Sequence, residues 1–186
     1  MELKAGAADL AKKVRLIIFD VDGVLTDGGI YVGEKGELFK SFFCRDGLGI
    51  TLAGQNGLKT AIITGRSSEQ VKLRAENLHI DAVWQGCMDK RDAYAELKQR
   101  FSLTDEEICY IGDDLIDLPV MTQVGFSAAV ADAVPEVRAS ACLVSDFSGG
   151  KGAARQVIEF ILKAQGKWTA IVKNYTRGHE SGAARQ

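Results

Sequence analysis

Two aspartates spaced two apart, Asp20 and Asp22, close an apolar run in the stretch V-R-L-I-I-F-D-V-D-G-V-L-T-D, residues 14–27. Two acids in that setting are costly to bury without a counter-charge, and a metal ion is the economical one. The setting recurs. Thr64-Gly65-Arg66 follows the strand-like residues 59–63, which end in Ala61-Ile62-Ile63, and Gly112-Asp113-Asp114, with Asp117 shortly after, follows residues 108–111. Three or four carboxylates with a hydroxyl and nearby lysines suit a hard cation and a phosphoryl group, since Mg2+ takes oxygen ligands and bridges to phosphate. An Asp can then act as nucleophile through an aspartyl-phosphate. A second carboxylate two residues on could protonate the leaving alkoxide and later deprotonate the attacking water. Thr64 and Gly65 offer a hydroxyl and a backbone N–H to phosphate oxygens, and Lys90 a positive charge. Taken alone, residues 20–23 could also be an Asp-rich turn that opens a loop.

These groups meet only if their strands lie side by side and end at one edge. Residues 14–19 are rich in β-branched side chains and read as a strand buried on both faces. Further strands are expected at 59–63, 82–85, 108–111, 126–130 and 142–144. Helices are expected at 2–13, from about 46 to 55, from 67 to about 77, at 89–100, from Pro135 onwards, and at 153–164. Ser67 with Gln70, and Thr104 with Glu107, have the spacing of capping boxes. The alternation predicts an α/β fold, a Rossmann-like three-layer sandwich with a mostly parallel sheet, which gathers its site at the carboxyl ends of the strands. After the first strand, residues 30–32 and 38–43 flank Gly33-Glu34-Lys35-Gly36, a β-hairpin signature. This insertion, about 28–43, carries Tyr31, Phe39, Phe42 and Phe43. An apolar ribbon needs a cover, either a neighbouring subunit or its own sheet.

The chain has 186 residues, 46% hydrophobic and 26% charged, the profile of a soluble globular protein with a full core. Residues 1–186 read as a single domain, with a tail from about 166. In the tail, Trp168, Ile171, Val172 and Tyr175 could dock, and residues 178–186 are expected to be mobile. A net charge of −2 with scattered Lys and Arg gives no case for nucleic acid. No run approaches the ~20 apolar residues of a membrane span, and the charged N-terminus lacks a signal-peptide core. Four cysteines without a C-x-x-C pair, and only two histidines, make no zinc pattern and fit a reducing cytoplasm. His79 reads as structural.

D-V-D-G-V-L-T-D, I-T-G-R, a downstream Lys and G-D-D-x-x-D, in that order, resemble the haloacid dehalogenase superfamily. The resemblance implies Asp20 as nucleophile, Asp22 as general acid/base, Thr64 and Lys90 as phosphate binders, and Mg2+ held by Asp20, by the Asp22 carbonyl and by Asp113. Asp114 would be a further or water-mediated ligand, and Asp117 would orient the loop. Lys98 and Arg91 are alternatives to Lys90. The second Asp points to a phosphatase, since the resembling dehalogenases lack it and the transport ATPases have Thr there. R-D-G-L-G-I, G-D-D-L-I-D-L-P-V-M, A-V-A-D-A and G-G-K-G-A-A-R extend the resemblance along nearly the whole chain to the 3-deoxy-D-manno-octulosonate 8-phosphate phosphatase family. That implies a capless, cytoplasmic homotetramer acting in lipopolysaccharide biosynthesis on a phosphorylated sugar acid, with subunits closing one another's sites. Gly65, Arg66 and Arg74 are the first choices for holding such a substrate, ahead of Arg45, Lys151 and Arg155. A nonulosonate 9-phosphate phosphatase, or a non-catalytic binding module on the same fold, are the alternatives.

Overall fold

A computed structural model describes residues 1–34 and 36–176. The expected mobile segment 178–186 lies outside the described residues. The elements run β1 (Glu2–Leu3), α1 (Ala7–Lys13), β2 (Leu16–Phe19), β3 (Tyr31–Gly33), β4 (Gly36–Phe39), α2 (Cys44–Gln55), β5 (Lys59–Ile63), α3 (Glu69–Asn77), β6 (Ala82–Trp84), α4 (Arg91–Phe101), β7 (Ile108–Gly112), α5 (Leu118–Met121), β8 (Phe126–Ala129), α6 (Pro135–Ser140), β9 (Leu143–Val144), α7 (Ala153–Ala164) and α8 (Trp168–Thr176). Seven strands form one sheet in the order β1-β9-β8-β7-β2-β5-β6. Only β1 is antiparallel to its neighbour.

β2 is central because all four of its side chains are apolar. Leu16, Ile17, Ile18 and Phe19 are fully buried, each worth about 1.5–3 kcal/mol relative to exposure. That surplus is what lets the chain place acids at the end of the strand. Helices cover both faces of the sheet. α2 packs on α7, and α7 in turn on α1 and α8, while α4, α5 and α6 pack in succession.

Several local expectations are corrected. Residues 2–13 are not one helix: Glu2–Leu3 pairs with Leu143–Val144, and Gly6, at φ +80°, turns the chain into α1. β4 ends at Phe39, so Phe42 and Phe43 do not belong to the ribbon. Phe42 packs against the core and Phe43 precedes α2, which starts at Cys44. The Ser67–Gln70 capping box does not form. Ser68 stands at the helix start instead, its N–H donating to Gln85 Oε1 at 2.7 Å and its hydroxyl to Glu37 Oε1 at 2.7 Å. The Thr104–Glu107 box does form. The tail forms α8, in which Ile171 is buried but Val172 and Tyr175 stay exposed.

Candidate active site

The register of the sheet brings the chemical groups together. β2 lies between β5 and β7, with Phe19 opposite Ile62 on one side and Ile111 on the other. The next residue, Asp20, donates its N–H to the Ile111 carbonyl at 3.1 Å. Thr64 and Asp113 therefore emerge from the flanking strands at the same edge. Thr64 is buried, and its backbone is held by Trp84 and Cys87.

Beneath this edge is a buried ionic cluster. Lys90 Nζ lies 2.6 Å from Asp117 Oδ1 and 2.8 Å from Asp20 Oδ1, the latter without the alignment of a hydrogen bond. It also donates to the Tyr110 hydroxyl at 3.0 Å, which donates to Asp117 Oδ1 at 2.7 Å. Asp117 Oδ2 accepts the N–H groups of Asp113 and Asp114. Both oxygens of Asp117 are thus engaged, one of them on the backbone of the Asp113–Asp114 loop. Asp114 uses Oδ1 to cap the Leu115 N–H. Asp113 is different: its Oδ1 is buried and has no hydrogen-bond partner.

The acids repel one another as a cation site should. Burial, with the charges of Asp20 and Asp117, pushes Asp113 up to about 8. Burial raises Asp20 to about 6, with Lys90 acting against the rise and Asp117 adding to it. Burial alone would pull Lys90 down, but Asp20 and Asp117 overcome it and hold it above the ordinary lysine value. Oxygens of Asp20, Asp113 and Asp117 lie within 4.8 Å of one another. With Asp117 fully engaged, Asp20 and Asp113 are the carboxylates free to accept a metal. An all-oxygen set in which a buried oxygen of Asp20 and one of Asp113 both lack a hydrogen bond fits Mg2+.

Backbone contacts seal the floor of the site. Gly23 sits at φ +90°, and a Cβ there would overlap the Asp113 carboxylate. Gly149 approaches the Gly23 carbonyl so closely that no side chain fits, and the Gly150 N–H donates to the Val24 carbonyl at 2.9 Å. Asp46 fastens this loop from below. It is buried and accepts the N–H groups of Gly152 at 3.2 Å and Arg155 at 2.8 Å, at the start of α7.

On the outer side, Asp22 faces two cations. Lys40 Nζ is paired with Asp22 Oδ1, and Arg66 Nε lies 3.8 Å from Asp22 Oδ2. Glu37 of the hairpin binds the same two cations, at 3.1 Å from Lys40 and 3.5 Å from Arg66. Arg66, expected to hold substrate, thus sits beside Asp22 and Glu37. Arg74 does not join it. Its guanidinium lies 5.7 Å over the Phe42 ring and against Gly47, with Nε buried and unpartnered. Arg45, Lys151 and Arg155 line a separate cleft of about 560 Å3, where Arg155 is paired with Glu159 at 2.8 Å. Lys98 and Arg91, the alternatives to Lys90, pair with Asp105 and Asp89 and take no part in the cluster. His79 lies just past the end of α3 in a left-handed conformation, φ +55°.

Sequence reasoning missed Lys40, Glu37, Asp46 and Tyr110. The one available signal was Glu37-x-x-Lys40, a charge pair closing an otherwise apolar ribbon.

A parallel sheet with acids gathered at its carboxyl ends around a buried lysine is the arrangement of the haloacid dehalogenase-like hydrolases, and a family profile of that description matches residues 82–157. The chain is 46% identical over 157 residues to 3-deoxy-D-manno-octulosonate 8-phosphate phosphatase KdsC of Escherichia coli (strain K12), covering 84% of each chain. The crystal structure of the phosphatase of that name from Yersinia pestis superposes with a TM-score of 0.87 at 46% identity over 89% of each chain. The enzyme from Moraxella catarrhalis, solved in complex with magnesium ion, phosphate ion and KDO, superposes at 0.89 and 38% identity, over 92% of this chain and 99% of that one. This chain belongs to the 3-deoxy-D-manno-octulosonate 8-phosphate phosphatase family.

Proposed function

We propose that the protein is a Mg2+-dependent phosphatase that hydrolyses 3-deoxy-D-manno-octulosonate 8-phosphate to 3-deoxy-D-manno-octulosonate and phosphate. The observation that carries the chemistry is the placement of Asp20 and Asp113, one with a lysine and one with an orphaned oxygen, at adjoining strand ends. The substrate follows from relatives of that name at 46% identity.

An Asp20 carboxylate oxygen attacks phosphorus, and the bond from phosphorus to the sugar oxygen breaks. Asp22 gives its proton to the departing alkoxide. Asp22, now ionised, takes a proton from a water that attacks phosphorus, and the bond to Asp20 breaks to release phosphate. Lys90 touches the nucleophile and compensates its charge, while Thr64 and Gly65 supply donors to the phosphoryl oxygens. Asp20, Asp113 and the Asp22 carbonyl would hold Mg2+, which supplies positive charge against the phosphoryl group. Of the candidate substrate-holding side chains, Arg66 is the one that reaches the acid/base, while Arg74 is turned towards Phe42 and Gly47. A single domain is supported by one continuous seven-stranded sheet and one core across the described residues.

We also infer a cytoplasmic homotetramer acting in lipopolysaccharide biosynthesis. The support is four unpaired cysteines and a ribbon whose Val32 and Leu38 are 70% and 60% exposed. A ribbon this apolar is expected to find a cover.

The purified protein with Mg2+ should release phosphate from the eight-carbon ester in preference to a nonulosonate 9-phosphate, and Asp20→Asn should fall to background while remaining folded. Preferential hydrolysis of the nine-carbon ester would reassign the substrate. Full activity of Asp20→Asn would remove Asp20 as nucleophile.

A further inference from the structure

Lys40 is a lysine with no part in the chemistry described so far, yet its side chain is only 1% exposed. It leaves the end of β4 and turns inward between two carboxylates, Asp22 at the site and Glu37 on the ribbon. Burying an ammonium this completely is costly unless it is well paired, and its partner on the ribbon, Glu37, is itself held in place. Glu37 Oε1 accepts from Ser68, at the head of the helix that follows Thr64-Gly65-Arg66. Gln70 of that helix donates to the Leu38 carbonyl at 3.3 Å. Arg66 completes the set on the other oxygen of Asp22.

We infer that Lys40 is a positioning residue for Asp22: it fixes the carboxyl on the leaving-group side of the phosphoryl site and makes that placement depend on the ribbon being docked through Glu37. The inference rests on the reading of Asp22 as general acid. Asp22 has few neighbours of its own to hold it. It lies in a turn, 19% exposed, and Lys40 and Arg66 are its ion-pair partners among the described residues. Of these Arg66 is half exposed and 3.8 Å away, so the buried Lys40 supplies the fixed end.

Placement of Asp22 as acid matters only where the leaving group needs a proton, while its later action as base on water is common to every ester. A sugar alkoxide needs the proton; 4-nitrophenolate departs without one. The test therefore compares kcat/KM, which covers the steps up to departure of the leaving group, for the sugar-acid phosphate and for 4-nitrophenyl phosphate in the Mg2+-loaded enzyme. Lys40→Met should lose about 10–100-fold in kcat/KM on the sugar ester, part of the ~10²–10⁴-fold that general acid catalysis contributes, and change little on the nitrophenyl ester. Lys40→Arg, which keeps the charge, should recover most of the loss. Glu37→Gln should show the same selective loss to a smaller degree, and it carries the test if Lys40→Met does not fold.

Equal losses on both esters, or no loss on either, would overturn the positioning role. Failure of the wild type on the sugar ester while it hydrolyses the nitrophenyl ester would instead refute the substrate assignment. The leaving-group comparison would then be repeated with any alkyl phosphate that the enzyme accepts.

Discussion

Lys90 and Asp117 form an ion pair with no solvent exposure at all, Nζ to Oδ1 at 2.6 Å, directly beneath Asp20. Breaking such a pair from one side leaves an uncompensated buried charge, which costs about 3–5 kcal/mol. Lys90→Met should therefore lower the stability measured by urea unfolding near neutral pH by that amount, and abolish turnover. A loss within the 0–1 kcal/mol typical of a surface pair would show that the cluster rearranges around the gap.

Proton and metal should compete at Asp113. Its carboxyl stands near 8 in the folded, metal-free protein against an ordinary value of 3.8. A folded value above the unfolded one means that the fold binds the proton more tightly. Metal-free stability is then highest below about pH 4 as far as this group is concerned, and falls as pH rises towards about 8. Mg2+ needs the ionised form, so its binding should release protons near pH 7, and its affinity should rise from pH 6 to 8. Calorimetric titrations in two buffers of different ionisation enthalpy check the proton release. An affinity independent of pH would contradict it.

Gly23→Ala puts a methyl group into the Asp113 carboxylate and forces a left-handed backbone on an L side chain. The strain should cost about 1–3 kcal/mol. Displacing Asp113 should weaken Mg2+ binding more than it weakens the fold, as read by magnesium titration beside thermal unfolding. Normal magnesium affinity in a folded Gly23→Ala protein would show that Asp113 has room to move.

Phe42 is the wrong place to test the ribbon, because it packs under Arg74 against the core. Phe39, half exposed and stacked on Tyr31 at 4.3 Å, is the right one. Phe39→Asp should lower the mass found by light scattering and reduce turnover of the sugar ester, while the sheet stays intact by circular dichroism. An unchanged mass would place the subunit contact elsewhere.

The parts legible in the sequence were those with a local cause. β2 announced itself because residues 16–19 are unbroken apolar side chains, and Asp20, Asp22, Thr64 and Asp113 could be placed because each lies within three residues of the end of such a run. Asp46 was not legible. Its partners, Gly152 and Arg155, lie more than a hundred positions away, and nothing near Asp46 hints at a helix start it would cap. Lys40 was missed for the same reason, its partner Asp22 being joined through the ribbon's fold rather than by periodicity. Ser67–Gln70 failed in the opposite sense. The local pattern was present, but Gln85 and Glu37 engage Ser68 instead. β1 is two residues long, too short for any alternation to register.

The close approach of Gly149 to the Gly23 carbonyl leaves the floor of the site no slack. A mould of backbone against backbone cannot be recut by exchanging side chains, so a mutational library aimed at new esters has little to gain there. Ile30, Val32 and Leu38 are exposed on the ribbon and its approach, and their side chains take no part in the ion pairs of Asp22. A library for altered reach belongs at such positions, with assembly measured beside turnover.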